Sequence, residues 1–274
     1  MKQLLSTLCV AVLFGCLFIQ SAAAEDAQCQ GIRARYAEGK QGANAENAMA
    51  YCAAREGKTD LAFSHLSTAL QKGYHRLKDA QTDPDFDSIR PDPRWAKVIE
   101  QIAQAEQRYL KAINAELYQI YQDDQADRNV DKIDWSVVTP RDDARYARVL
   151  QLADAQLLKH GDDYFHAAMV MQHGEKPDDY QRAHLWAKKA FELNSENQSA
   201  RWLACAAEDR YLQSIGKPQI WGTQYKRPKK DGPWTQEPFD RQAKTDAERK
   251  EMGVPGLAES QLQLDAMNKP GNGV

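Results

Sequence analysis

Apolar residues recur at three- and four-residue spacings along most of this chain, in stretches rich in Ala, Leu, Glu, Gln and Arg. That periodicity predicts amphipathic helices over residues 43–56, 60–72, 94–127, 142–159, 162–173, 179–193 and 198–215. Helix breakers divide them: Gly57, Gly73, Pro91 with Pro93, Pro140, Gly161, Pro177 and Gly216. Asp92 before Pro93 reads as a helix start, a capping side chain followed by proline at the first helical position. Almost nothing alternates as a half-buried strand does, so the expected fold is all-α.

Two segments carry small residues at matching offsets. Ala62, Leu66 and Ala69 follow a turn at Gly57, and Ala183, Ala187 and Ala190 follow a turn over 174–178. Small residues at these offsets let one helix lie close against its partner, as in the second helix of a tetratricopeptide repeat. Any antiparallel helical hairpin accommodates the same alanines. The two segments start 121 residues apart, Ala62 against Ala183, which is not one repeat length, so a continuous solenoid is not expected. The stretch 83–95, with Asp83-Pro84-Asp85-Phe86 and Pro91-Asp92-Pro93-Arg94-Trp95, resembles the element that closes many bacterial tetratricopeptide-like segments. Residues 43–110 are therefore read as tetratricopeptide-like.

The first 24 residues have the layout of a secretory signal: Lys2, a largely apolar run from Leu4 to Ile19, then Ala22-Ala23-Ala24 as cleavage site. The apolar run is shorter than the roughly 20 residues of a spanning helix, which disfavours a retained anchor. Leu13-Phe14-Gly15-Cys16 is a weaker match to a lipoprotein box, and the preferred reading is a soluble exported chain, periplasmic or secreted, with no membrane insertion after cleavage. Cleavage leaves 35 basic against 39 acidic residues. That mildly acidic balance gives no electrostatic footprint for nucleic acid or an anionic membrane. The mean hydropathy of −0.71 fits a surface-rich helical protein.

Three cysteines follow the leader: Cys29, Cys52 and Cys205. Export permits disulfides, and Cys29 with Cys52 is the expected pair. Cys205 lies in an apolar helical run and reads as a buried thiol rather than a nucleophile. From Gly216 the texture changes to a breaker-rich loop, with a basic run over 226–233 read as solvated. A short helix is expected at 246–252, and the last residues, 268–274, are expected to be disordered.

An ordered series of polar blocks occupies the C-terminal part. It runs through Asp124-Gln125-Ala126-Asp127-Arg128, Asp143-Ala144-Arg145, Gln172-His173-Gly174, Asp209-Arg210-Tyr211-Leu212, Gly216-Lys217-Pro218-Gln219 with Gly222-Thr223-Gln224, and Asp246-Ala247-Glu248-Arg249. Over residues 114–267 this series resembles an uncharacterised bacterial family, a domain of unknown function. The resemblance implies a helical domain ending in an ordered loop, and it implies no activity, substrate or cofactor. The domain plan is then 1–24 signal, 25–111 tetratricopeptide-like segment, 112–267 helical domain and 268–274 tail.

The chemistry open to these blocks is broad. His166 and His173 are seven apart, two turns of one helix, whereas a chelate on one helix uses three- or four-residue spacing. No metal and no cofactor is expected. His173 could act as a base oriented by Asp209 or Asp124. Arg128 and Arg210 could hold an anion, and Thr223 is the obvious hydroxyl. No nucleophile elbow or phosphate loop accompanies them. A structural network is the competing account, with Gln219 and Gln224 satisfying loop backbone groups.

The candidate polar network is thus Asp124, Gln125, Arg128, His166, Gln172, His173, Asp209, Arg210, Gln219, Thr223 and Gln224. The leading expectation is a non-catalytic module binding a protein or peptide in the cell envelope. The alternative is a hydrolase-like enzyme or small-molecule receptor around His173, Asp209, Arg210 and Gln219.

Overall fold

The computed structural model describes residues 27–37, 39, 41–229 and 232–269. The expected leader, its cleavage site and lipoprotein-like stretch, and residues 270–274 of the expected disordered tail lie outside the described residues. The chain divides into two compact units between Tyr109 and Leu110. The described residues are all-α, with no strand. None of the helices is long and apolar enough to cross a membrane among the described residues.

In the first unit, α1 covers residues 27–37, followed by α2 (Ala43–Arg55), α3 (Thr59–Gln71) and α4 (Leu77–Thr82). A 3₁₀ turn at Pro84–Phe86 leads to α5 (Arg94–Ala112), inside which the division falls. Helices α2 and α3 form a hairpin whose turn needs the φ of +70° at Gly57, which side chains with a Cβ rarely adopt. Ala50, Ala53 and Ala54 face Ala62, Leu66 and Ala69, all buried, so the two backbones approach closely. Phe86, Ile89, Trp95 and Ile102 close the same core. Their burial explains why the Asp-Pro-Asp-Phe to Arg-Trp stretch folds back on the hairpin: burying a large side chain contributes about 2 kcal/mol.

Cys29 and Cys52 are bonded, with Cα atoms 5.6 Å apart, tying α1 to α2. A second tie is polar. The Glu46 carboxylate, 2 % exposed, accepts from Tyr36 Oη at 2.9 Å and Lys72 Nζ at 2.7 Å, and lies 2.8 Å from His65 Nδ1. Burial alone would raise its pKa, but the Lys72, His65 and Tyr36 contacts outweigh that and hold it below the ordinary carboxylate value.

The second unit contains α6 (Ala115–Arg128), α7 (Trp135–Asp154), α8 (Gly161–Met171), α9 (Pro177–Leu193) and α10 (Gln198–Ser214). After a long loop come α11 (Asp246–Glu251) and α12 (Leu257–Met267). Helices α8, α9 and α10 pack in succession, and α6 and α7 lie against α8. Ala183, Ala187 and Ala190 of α9 are fully buried. Ala168, Ala187, Leu203 and Ala204 share one core cluster, so small residues again set the helix spacing.

Three expectations about elements change. The predicted helix over 94–127 is two helices, broken at Ile113 and Asn114. Asn114 caps α6 by accepting from Leu117 N at 3.0 Å, while its own N–H donates to Asp163 Oδ1 at 2.7 Å. Neither glycine nor proline marks that break, so periodicity ran through it. Pro140, read as a breaker, lies inside α7. That helix starts earlier, where the Asp134 side chain accepts from Ser136 N at 3.0 Å. Helix α12 was not anticipated, and only its Ser260 and Leu264 are buried, too few to print a strong pattern.

Candidate functional site

The eleven residues singled out in the sequence fall into separate groups. Asp124, Gln125, Arg128 and His173 come together where α6 meets the end of α8. Asp124 is 1 % exposed. Its Oδ1 accepts from Arg128 Nη1 at 2.9 Å and lies 3.2 Å from His173 Nδ1, and its Oδ2 accepts from Gln125 Nε2 at 2.8 Å. The i, i+4 spacing on α6 brings Arg128 over Asp124. Arg128 also donates to Asp142 Oδ2 at 2.6 Å, and Arg145 links Asp142 to Asp127 at 3.0 and 2.6 Å. Alternating charge thus binds α6 to α7. The carboxylate orienting His173 is Asp124, not Asp209.

Beside this lattice lies an open concavity of about 440 Å³. Ala126 and Ala144 line it with Asp123, Asp127, Arg141 and Arg145.

Asp209, Thr223, Gln219 and Gln224 form a second group that holds the loop after α10. Asp209 is 0 % exposed. Its Oδ1 accepts from Ile220 N at 2.8 Å and Trp221 N at 2.9 Å, and its Oδ2 from Thr223 N at 2.9 Å and Thr223 Oγ1 at 2.7 Å. Burial raises the Asp209 pKa, against which these donors act. Gln219 Oε1 accepts from Gln224 N at 3.0 Å, and its Nε2 donates to Gln224 O at 3.0 Å and to Gln236 O. Gln224 in turn donates to Ala206 O at 3.3 Å. These side chains satisfy backbone groups that burial would otherwise leave unpaired. Gly222 is required here: its φ is +68°, and a Cβ would come within 2.6 Å of the Phe239 ring.

The remaining residues join neither group. Gln172 is buried, and its side-chain amide donates to Met169 Sδ at 3.4 Å. His166, 4 % exposed, stacks on Tyr121 with centroids 4.5 Å apart, and its Nδ1 is buried without a hydrogen-bond partner. Burial lowers its pKa to about 4, so the ring is neutral at pH 7. Arg210 lies on α10 beside Asp209, yet it enters no hydrogen bond of the loop, and its Nε is buried without a partner.

Several residues of weight were not among the eleven, although Arg249 stands in one of the quoted polar blocks. Asp163 accepts from the backbone N–H groups of Asn114, Lys159 and His160, joining the α5–α6 break to the start of α8. Arg249, 0 % exposed, donates to Pro255 O at 2.8 Å and Ser260 Oγ at 3.2 Å and sits 5.6 Å from the Phe239 ring centroid. Gln236 and Glu46 are likewise buried. For Gln236 and Glu46 the sequence signal is a polar residue at an apolar helix or loop position, which many exposed residues share. The glycine of the Gln172-His173-Gly174 block is better explained: a Cβ on Gly174 would lie 1.8 Å from Tyr146 Oη, whose hydroxyl donates to Met171 O at 3.0 Å.

Among the described residues, no three His, Cys, Asp or Glu side chains converge as metal ligands. Cys205 is buried and free, and burial raises its thiol pKa strongly, which opposes a nucleophilic role. No family model, no curated protein and no solved structure matches this chain.

Proposed function

We propose that this protein is a non-catalytic, exported helical module that binds a protein or peptide in the cell envelope, its hairpins serving as a tetratricopeptide-like scaffold. The observation that supports this most is the open concavity on α6 and α7. Its Ala126 and Ala144 leave room for a chain, and its lining carries both signs of charge, Asp123 beside Asp127 in its pairs with Arg141 and Arg145. An extended peptide with acidic and basic side chains matches such a surface, whereas a small apolar ligand does not. The disulfide agrees with an oxidising compartment. The polar loop argues in the same direction, because Asp209 and Gln219 already have their hydrogen-bonding capacity filled by the fold. The resemblance to a domain of unknown function remains part of this proposal and adds no activity to it.

The test is selection of displayed random peptides on folded 25–274, followed by titration of the enriched sequences. Charge reversal at the exposed Arg141 (Arg141→Glu) is expected to weaken them by about tenfold, the effect of losing about 1.4 kcal/mol. Absence of enrichment, or equal binding to the reversed variant, would sink the reading.

The enzyme or receptor alternative retains one observation. His173 is partly exposed and held by a buried carboxylate, an arrangement that suits a general base. Turnover of any hydrolysable substrate that disappears in His173→Ala, with the fold intact, would favour it over the binding module.

A further inference from the structure

Helix α10 places Arg210 and Gln213 three residues apart, on one face. Both carry a buried donor without a hydrogen-bond partner: Arg210 Nε and Gln213 Nε2. The other substantially buried arginines of this unit are differently placed. Arg128 and Arg145 pair with aspartates; Arg249 Nη1 and Arg227 Nε also lack a partner, but Arg249 donates through its other nitrogens to a carbonyl and a hydroxyl, and Arg227 lies 4.8 Å from the Trp234 ring centroid. For Arg210 no carboxylate contributes: burial lowers its pKa, and the one group acting against that is Tyr180 of α9.

We infer that Arg210, with Gln213, is a binding site for an oxyanion of the carboxylate or phosphate type. A desolvated guanidinium without a counter-charge is costly, and an orphan N–H adds to the cost. An oxyanion relieves both at once, because two oxygens match the guanidinium fork and can also accept from an amide. The surroundings bear on which oxyanion fits better. Tyr180, which acts on Arg210, is itself under the negative charge of Asp179 and Glu175, so one added negative charge is tolerated better than two. A chain-terminal carboxylate is therefore favoured over a phosphate dianion. The site is separate from the concavity on α6 and α7 and does not depend on the peptide-binding reading.

The test is a titration of arginine-labelled 25–274, following the Arg210 Nε–H resonance by NMR. The probes are inorganic phosphate, acetyl-trialanine with a free carboxylate, and its C-terminal amide, with sodium chloride at matched ionic strength. The free acid is expected to move the Arg210 resonance saturably, phosphate to move it less, and the amide and chloride not at all. A response to phosphate alone keeps the oxyanion site and assigns it to phosphate. Arg210→Lys should remove the resonance and weaken binding by about tenfold, since the fork is lost while the charge stays. Arg141→Glu should leave the response unchanged, which separates this site from the concavity. No movement with either oxyanion at about 10 mM, where a millimolar site is already saturated, overturns the inference, as does an equal response to the amide. Should Arg210→Lys fail to fold, the wild-type titration decides alone.

Discussion

Asp209 holds four donors with one carboxylate, and Asn in its place keeps the shape while turning one oxygen into an amide nitrogen. Two of the donors then face a donor. Asp209→Asn is expected to cost about 3 kcal/mol, the range for buried groups left unpaired. His173→Ala removes one 3.2 Å contact from a side chain that is partly exposed, and about 1 kcal/mol is expected. Urea unfolding of both variants checks this, and equal losses would mean that the two groups act as one network. Gly174 offers a steric counterpart. Gly174→Ala should cost about 2 kcal/mol through overpacking against Tyr146. Tyr146→Ala in the same chain should reduce that cost without removing it, because the Asp179 Cβ remains 2.7 Å away. His166 adds a pH dependence. Its folded pKa of about 4 lies below the ordinary 6.5, so the unfolded chain takes up the proton first. Stability is full above 6.5 and falls as the pH drops toward 4, by about 3 kcal/mol in all. Asp162 and Asp163 favour the charged ring and His160 opposes it, but burial dominates. His166→Phe should flatten that slope in unfolding free energies measured from pH 7 to 4, and an unchanged slope would place the titration elsewhere.

At the scale of elements, helix positions were legible because burial of one face imposes a period that composition cannot hide. The α2–α3 hairpin shows this: Ala62, Leu66 and Ala69 were visible in the chain and all three are buried. The break at Asn114 was not legible. The groups that stabilise it are an asparagine and an aspartate 49 residues later, and neither residue type is diagnostic by itself. Pro140 failed in the other direction. Proline disfavours a helix interior by roughly 3 kcal/mol, yet the cap at Asp134 and burial of Val138, Val149 and Leu152 sustain α7 around it. The disulfide belongs to this scale too, because it joins α1 to α2 across 23 residues of sequence. Its removal in Cys29→Ala/Cys52→Ala should lower stability by about 3 kcal/mol. Thermal melts of the variant, beside wild type with and without reductant, measure it.

For the whole molecule, the two perturbations should be felt in different places. Reduction acts on the unit that holds Cys29–Cys52, and acidification on the unit that holds His166. Hydrogen exchange read by mass spectrometry should therefore show lost protection within 27–109 on adding reductant, and within 110–269 on lowering the pH from 7 to 4. Uniform loss in both cases would contradict this. By itself the sequence determined the all-α class, most helix positions and the Cys29–Cys52 pair, because periodicity and residue type act locally and leave a local trace. It also marked His173, Asp209 and Gln219 as candidates, but put them in one network where the fold holds two groups. Only the tertiary structure decided what each one meets. Asp209 faces loop N–H groups, His173 faces Asp124, and Arg210 faces no carboxylate among the described residues. A hydrogen bond depends on distances of a few tenths of an ångström between residues far apart in the chain, and nothing in the local pattern of a sequence fixes them.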